Sequence, residues 1–411
     1  MVPAPEVVLA RGAAALAELA PPGDLALAVS GGADSLALLL TAEAWAGEAG
    51  CRLHVLTVDH GFRAESAAEA AAVAELARAR GHEGVVLRPD RPLSRQGLEA
   101  AARAARYGLM TRWCLDRGVG ALATGHSRDD QAETLLLRLQ RGSGLDGLSA
   151  MAPETRRDGI RLLRPLLGLG RAELAALVDS RGLAAVDDPM NHDPRFRRVA
   201  LRRAIADLGI DVAGLAATAG RLGRDRAAIA TAVDDLARRA FTLSPWGIGR
   251  IDPAGLSGPA PFVERALARL IRAVGGHEHP PRRDRLERLA ARLVAARDGD
   301  FPGSTLGGCR FLAARGMITV LREARDIGPD LRLDAGASGV WDNRFRVTAG
   351  AMPVTIAPLG TLRPLGLPDC PAAERRVMPA VFSQGGLIAV PPLEFGAPLA
   401  AQLRYCAANM L

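Results

Sequence analysis

Six consecutive residues, Ser30-Gly31-Gly32-Ala33-Asp34-Ser35, combine two glycines, two hydroxyls and one carboxylate. They follow an apolar run at 24–29 and precede a helical pattern that reaches about residue 47. Glycines at such a junction let the backbone approach a ligand closely. The hydroxyls add donors, and the first N–H groups of the helix attract an anion. A carboxylate inside an anion loop makes little sense for phosphate alone. It makes sense if Mg2+ bridges Asp34 to the phosphates. The competing reading is a glycine turn with Ser and Asp capping a helix; the complete hexapeptide between strand and helix favours the anion loop. Two further pairs have helical spacing. Arg103 and Arg106 are three apart, as are Asp130 and Glu133, so each pair shares one helix face.

The elements that must carry these residues alternate between strand and helix. Strands are expected at 24–29, 52–58, 84–87 and 119–124, with helices after the first loop and at 66–80, 97–117 and 129–139. That alternation predicts a doubly wound α/β fold, a parallel sheet with helices on both faces. Ligands of such sheets sit at the carboxyl ends of the strands. Ser30, Asp59 and Gly125-His126 all fall there, so three strand ends face one mouth. Further on, helices are expected at 220–240, 261–274 and 282–297, with a Pro/Gly-rich break at 244–261. After 326, Gly, Pro and Val increase and short β-like runs appear at 344–348 and 387–390.

Composition narrows the chemistry. The 411 residues exceed one ordinary core, and 24% charged with 49% hydrophobic residues suits a globular chain. All 52 basic residues are arginine; the absence of lysine excludes a Walker A lysine and any Schiff base in this chain. The net charge of +7 is uneven: residues 1–215 carry −1, 216–325 carry +8 and 326–411 carry zero. A basic middle third suggests a polyanionic partner, the alternative being solvated arginine-rich helix faces. Cys51, Cys114, Cys309, Cys370 and Cys406 are far apart and include no C-x-x-C, against disulfide, zinc and iron–sulfur frameworks. His277-x-His279 has no third ligand nearby in sequence and a proline-rich flank, so it reads as a loop. No apolar stretch is long enough for a membrane span, and Glu6, Arg11 and Glu18 make the N-terminal segment a surface helix. A cytoplasmic protein is expected, with no membrane partner; homo-oligomerisation is left open.

Ser30–Ser35 resembles the PP-loop of N-type ATP pyrophosphatases, which cleave ATP to AMP and pyrophosphate while adenylating a substrate. Further motifs follow in order: Thr57-Val58-Asp59-His60-Gly61-Phe62-Arg63, Glu99 through Tyr107, and Thr124-Gly125-His126-Ser127-Arg128-Asp129-Asp130-Gln131-Ala132-Glu133-Thr134. Arg138, Arg141-Gly142-Ser143-Gly144, Arg164-Pro165-Leu166-Leu167, Asp188-Pro189-Met190-Asn191 through Arg202, Thr305-Leu306-Gly307-Gly308-Cys309 and Trp341-Asp342-Asn343-Arg344-Phe345 continue the series. Together they are similar to the tRNA(Ile)-lysidine synthetase family, densely up to Arg203 and more thinly beyond.

The resemblance implies ligation of L-lysine to C2 of the wobble cytidine of an isoleucine tRNA with a CAU anticodon, with ATP as co-substrate and Mg2+. In the implied scheme Ser30, Gly31, Gly32, Ala33 and Ser35 bind the pyrophosphate part of ATP, and Asp34 holds the metal. Arg103 and Arg106 stabilise charge at the α-phosphate. Asp130 and Glu133 recognise lysine, Asp130 serving also as a metal ligand. His126 contacts ATP or orients a neighbour, Asp59 lies on the ribose or adenine side, and Arg198 and Arg202 face tRNA or the α-phosphate. Structural alternatives exist for each: ion pairing with Glu99 for the arginines, complementing a helix N-terminus for the acids, turn formation for Asp59. The sequence departs from the family pattern at Met190, where a small hydroxyl residue is usual, and at Val199, where Asn is usual.

Three domains are expected: a PP-loop catalytic domain at 1–215, a helical basic tRNA-binding domain at 216–325 and a small β-containing domain at 326–411, short for the family's last domain. Rival readings are tRNA 2-thiolation, which normally needs a C-x-x-C pair, an amidotransferase-type synthetase, for which no glutaminase motif is visible, and a nucleotide-gated RNA-binding protein without catalysis.

Overall fold

A computed structural model describes residues 3–61, 65–89, 98–186, 197–296, 301–396 and 401–406. The chain divides into two compact units, Met1–Arg226 and Ala227–Leu411.

In the first unit the alternation is α1 (Pro5–Leu19), β1 (Leu25–Ala28), α2 (Ala33–Ala49), β2 (Leu53–Val58), α3 (Ser66–Ala79), β3 (Glu83–Leu87), α4 (Leu98–Arg117), β4 (Ala121–Thr124), α5 (Arg128–Leu139) and α6 (Leu145–Leu148). A hairpin, β5 (Glu154–Arg157) and β6 (Ile160–Leu163), precedes α7 (Arg171–Ser180) and α8 (Arg197–Asp207); α9 (Val212–Ala240) runs through the division between the units. Among the described residues the sheet order is β3-β2-β1-β4-β6-β5, parallel except for the last pair. The expected doubly wound parallel sheet is therefore present. The hairpin is an addition, closed by Asp158 and Gly159, both at positive φ (50° and 87°), as a two-residue hairpin turn requires.

Helices cover both faces. On one, α1, α2 and α7 bury Val8, Leu16, Leu36, Leu38, Leu39, Leu174 and Leu177; on the other, α4 packs Tyr107, Met110 and Cys114 over Leu56 and Leu122. α2 is buried nearly all round, each enclosed leucine contributing about 2 kcal/mol of transfer free energy. That burial fixes the helix whose first turn is the Ser30–Ser35 loop. The parallel register pairs Ala28 with both Leu56 and Thr124, and Val58 with Leu87, so the carboxyl ends of four strands lie level.

The second unit contains the expected helices, at Ala260–Gly275 and Arg283–Ala295, and an antiparallel sheet that the sequence did not suggest. Its strands are Phe241–Leu243, Gly249–Ile251, Met317–Arg322, Cys309–Ala314 and Ser304–Leu306, in that spatial order. Gly307 and Gly308, at φ 59° and 68°, make the tight turn before Cys309. Two further antiparallel sheets follow after residue 330, and the expected runs near 344–348 and 387–390 form strands Phe345–Ala349 and Gly386–Val390. The Trp341–Phe345 motif is a turn holding a buried charge cluster: Asp342 accepts from Arg322 at 3.0 Å and from Arg344 at 2.7 Å. No helix among the described residues is long and apolar enough to cross a membrane.

Candidate active site

The sheet changes direction between β1 and β4: strands β2 and β3 were added on one side of β1, β4 and β6 on the other. Such a switch point opens a crevice at the carboxyl ends of the two central strands. The Ser30–Ser35 loop follows one of them and Gly125-His126-Ser127 the other. The loop is latched from inside. Ser35 Oγ donates to the Gly32 carbonyl at 2.8 Å and accepts from the Ser30 N–H at 3.1 Å. Gly31 has φ +90°, and a Cβ there would lie 3.0 Å from Val186 Cγ2. A Cβ on Gly125 would sit 2.6 Å from the Asp34 carbonyl oxygen, so a glycine lets the two loops close on each other. Gly32 precedes α2 and its carbonyl accepts the Ser35 and Leu36 N–H groups at 3.0 Å each, so the N–H groups of Ala33 and Asp34 are the ones left at the helix start for an anion.

Asp34 stands in that first turn. Its Oδ2 meets Arg171 Nε at 3.4 Å, whereas its Oδ1 is buried and has no hydrogen-bond partner. Burial, with Asp130 and Asp129 nearby, pushes its carboxyl up to about 6 against the pull of Arg171. An orphaned carboxylate oxygen of this kind is a hard donor in want of a cation, which fits Mg2+. No three His, Cys, Asp or Glu side chains gather as a metal cage among the described residues. Asp34 would thus supply one oxygen and Asp130 a second, with phosphates and water completing the shell, as Mg2+ commonly does with nucleotides.

Beside Asp34, the first turn of α5 presents Asp130 and Glu133. Asp130 Oδ2 accepts the Ser127 N–H at 3.0 Å, closing the start of the helix. Its Oδ1 faces Arg171 Nη2 at 3.2 Å and Arg198 Nη1 at 3.8 Å. Burial opposes the Asp130 charge, yet the Ser127 N–H and Arg171 hold its carboxyl below the usual range. Glu133, only 1% exposed, accepts from Arg202 Nε at 2.6 Å and from Arg171 Nη1 at 3.3 Å. Asp34, Asp130, Glu133, Arg198 and Arg202 are thus brought together, with one residue that no sequence motif indicated, Arg171.

On the other side, two histidines hold the two arginines of α4. Arg103 Nη2 lies 3.3 Å from His126 Nε2, and Arg106 Nε donates to His60 Nε2 at 3.3 Å. Burial pushes both imidazoles down to about 4, with the neighbouring arginine adding to the effect, so both are neutral acceptors at physiological pH. His60 has no role assigned by sequence spacing; its position after β2 gives it one. Asp59 is engaged locally. Its Oδ1 accepts from the Gly61 N–H at 3.0 Å and from Ser66 Oγ at 2.7 Å, and its Oδ2 accepts from Arg88 at 3.1 Å, tying the β2–α3 loop to the end of β3. Arg103, Arg138, Arg141, Arg197 and Arg198 line an open cavity of about 370 Å³ with Thr134, Leu137 and Met151. Val199 is buried within α8; Met190, Phe62 and Arg63 lie outside the described residues.

Comparison with known proteins identifies the family. Residues 5–208 match the family model described as a PP-loop domain. The chain is 38% identical to the tRNA(Ile)-lysidine synthase of Ruegeria pomeroyi, over 93% of this chain and 88% of that protein. It is 39% identical to that of Hyphomonas neptunium, over 79% and 89%, and 41% identical to that of a Bradyrhizobium species, over 76% and 92%. With an ATP-utilising PP-loop at its switch point and relatives matched over most of both chains, this protein belongs to the tRNA(Ile)-lysidine synthase family of enzymes.

Proposed function

We propose that this enzyme uses ATP to join L-lysine to C2 of the wobble cytidine in the CAU anticodon of an isoleucine tRNA. The observation that carries the reading is the adjacency of the anion loop and three carboxylates, part-buried Asp34 with buried Asp130 and Glu133, at one crevice.

In the first step the cytosine O2 attacks the α-phosphorus of ATP; the new O2–P bond replaces the bond to pyrophosphate, which leaves. Ser30, Gly31, Gly32, Ala33 and Ser35 hold the departing phosphates against the α2 N-terminus. Mg2+, when bound to Asp34 with Asp130 as a second ligand, neutralises the phosphate charge. Arg103 and Arg106 face the α-phosphate, where negative charge builds in the transition state. In the second step the lysine ε-amine attacks C2, the C2–O2 bond breaks, and AMP leaves with that oxygen. Asp130 and Glu133 hold an ammonium of lysine; the ε-ammonium must give up a proton before attack. Asp59 keeps the loop on the nucleoside side of ATP in place, and neutral His126 aims Arg103.

Arg198 and Arg202, with the arginine-lined cavity, offer phosphate contacts to the tRNA, and the +8 charge of residues 216–325 suits a backbone-binding domain. A tRNA substrate suits a cytoplasmic site of action.

The test separates the two half-reactions. Pyrophosphate release from ATP should require CAU-anticodon tRNA, and AMP release should require lysine in addition. AMP and pyrophosphate formation indifferent to both would refute the assignment.

A further inference from the structure

Arg171 is the first residue of α7, and its backbone N–H donates to Asp129 Oδ2 at 2.8 Å. The start of α7 is therefore pinned to the first turn of α5. From this fixed point the side chain spreads three nitrogens over three carboxylates: Nε to Asp34 at 3.4 Å, Nη2 to Asp130 at 3.2 Å and Nη1 to Glu133 at 3.3 Å. These are the groups assigned above to Mg2+ and to the lysine ammonium. Arg198 and Arg202 also face Asp130 and Glu133, at 3.8 and 2.6 Å. With Arg171 in place three guanidiniums already match three carboxylates, and a divalent cation and an ammonium can join only when a positive charge leaves, because like charges a few ångströms apart in a partly dry site repel strongly. The side chain is still 32% exposed, so it has a way out. The nucleotide brings phosphate oxygens to the N-terminus of α2, next to Asp34, and a phosphate is a planar-fork partner for arginine at least as good as a carboxylate.

We propose that Arg171 is a tethered counter-cation that exchanges the three carboxylates for the phosphates of ATP, so that the ammonium subsite opens only once nucleotide is bound. The inference rests on the reading of Asp130 and Glu133 as the lysine subsite. In the nucleotide-free enzyme Arg171 keeps buried carboxylates paired and keeps stray cations out. On nucleotide binding it becomes a phosphate ligand, and the carboxylates it releases accept metal and substrate. Lysine and ATP then bind with positive coupling, and by linkage each tightens the other by the same factor.

The test is calorimetric titration of L-lysine into the full-length enzyme, alone and with Mg2+ and α,β-methylene-ATP, which cannot release pyrophosphate. Lysine affinity of the wild type should rise at least tenfold with the analogue. Arg171→Met should bind lysine with the same affinity in both conditions, whereas Arg171→Lys, which keeps a tethered charge, should retain the coupling. Equal wild-type affinities with and without nucleotide would overturn the exchange, and this readout needs no variant to fold. Glu133→Gln distinguishes the two layers: wild-type binding that is uncoupled but lost in Glu133→Gln leaves the lysine subsite standing and removes the switch, and binding unaffected by Glu133→Gln removes both.

Discussion

Arg103 donates to His126 Nε2 across 3.3 Å, and this contact fixes the state of the imidazole. A guanidinium can only donate, so Nε2 must be the bare nitrogen and Nδ1 must carry the proton. Nδ1 then donates to Thr124 Oγ1 at 2.8 Å, and the Thr124 hydroxyl in turn donates to the Leu163 carbonyl at 3.3 Å. The chain ends on β6, so the sheet itself aims Arg103. Tyr107 steadies the same arginine, its hydroxyl 3.3 Å from Nη2 and its ring 5.2 Å beneath the guanidinium carbon. His126→Phe should therefore lower kcat by about 10- to 100-fold with little change in KM for lysine, and His126→Gln should recover part of the loss. Steady-state kinetics of pyrophosphate release would show it; an unchanged kcat in His126→Phe would mean that the imidazole does not position Arg103.

Asp34 binds its proton more tightly in the folded protein than in the unfolded chain, whose carboxyl titrates near 3.8, against about 6 when folded. Its contribution favours folding below pH 3.8 and is lost as the pH rises through 6. At pH 8 the charged carboxylate is thus a cost, and Asp34→Asn should stabilise the metal-free protein by about 1 kcal/mol, a figure reduced from the full shift because water reaches the group. The same substitution should abolish pyrophosphate release while leaving tRNA binding nearly intact. Thermal denaturation and a pyrophosphate assay on one preparation check both signs.

His60 and His126 act in the opposite sense. Both titrate near 4 in the fold and near 6.5 when unfolded. The unfolded chain binds more protons between these values, so stability falls as the pH drops from 6.5 towards 4. Two histidines outweigh the single Asp34 over that window. The melting temperature should decline with acid below pH 6.5, and less steeply in His60→Phe; an identical slope in the variant would contradict the assignment of a neutral, buried acceptor.

Gly125→Ala tests the closeness of the two loops. The added methyl meets the Asp34 carbonyl oxygen at 2.6 Å, a backbone atom that cannot swing aside. Displacing the first turn of α2 should cost about 1–3 kcal/mol of stability and weaken ATP binding by at least tenfold. Fluorescent-nucleotide titration beside a chemical denaturation curve measures the two effects.

Charge reversal in the basic segment bears on the tRNA surface. Arg283, Arg285 and Arg288 share one helix, and two of them are already paired with Glu287 and Asp284, at 2.7 and 2.8 Å. Arg285 has no ion pair among the described residues, which leaves its charge free to neutralise a phosphate and release that phosphate's counterion. Arg285→Glu should therefore weaken tRNA binding more than Arg283→Glu and flatten the log–log salt dependence by roughly one unit per lost phosphate contact. Filter binding across a salt series reads the slope; an unaltered slope would take this helix off the RNA surface.

The first four strands and their helices were legible because each is a short apolar run stopped by turn residues, and the Ser30–Ser35 loop was legible because its residue types are useful in few other settings. The β5–β6 hairpin shows in the sequence only through the Asp158-Gly159 turn, because Glu154–Arg157 is polar with Thr155 its sole β-branched residue. The strand Gly249–Ile251 was hidden inside a stretch rich in glycine and proline, at three residues too short to show a period. Arg171 could not be found from sequence. An arginine at the start of a helix has no pattern of its own, and its partners lie 38 to 137 residues away. His60 is similar: its partner Arg106 is 46 residues on, and only the level strand ends bring them together.

The most direct measurement is mass spectrometry of the wobble nucleoside after CAU-anticodon isoleucine tRNA has been incubated with the enzyme, ATP, Mg2+ and lysine. The cytidine should gain the mass of lysine less one water, only when all components are present, and should stay unmodified with Asp34→Asn. A cytidine left unchanged by the wild-type enzyme under conditions where ATP is consumed would contradict the assignment.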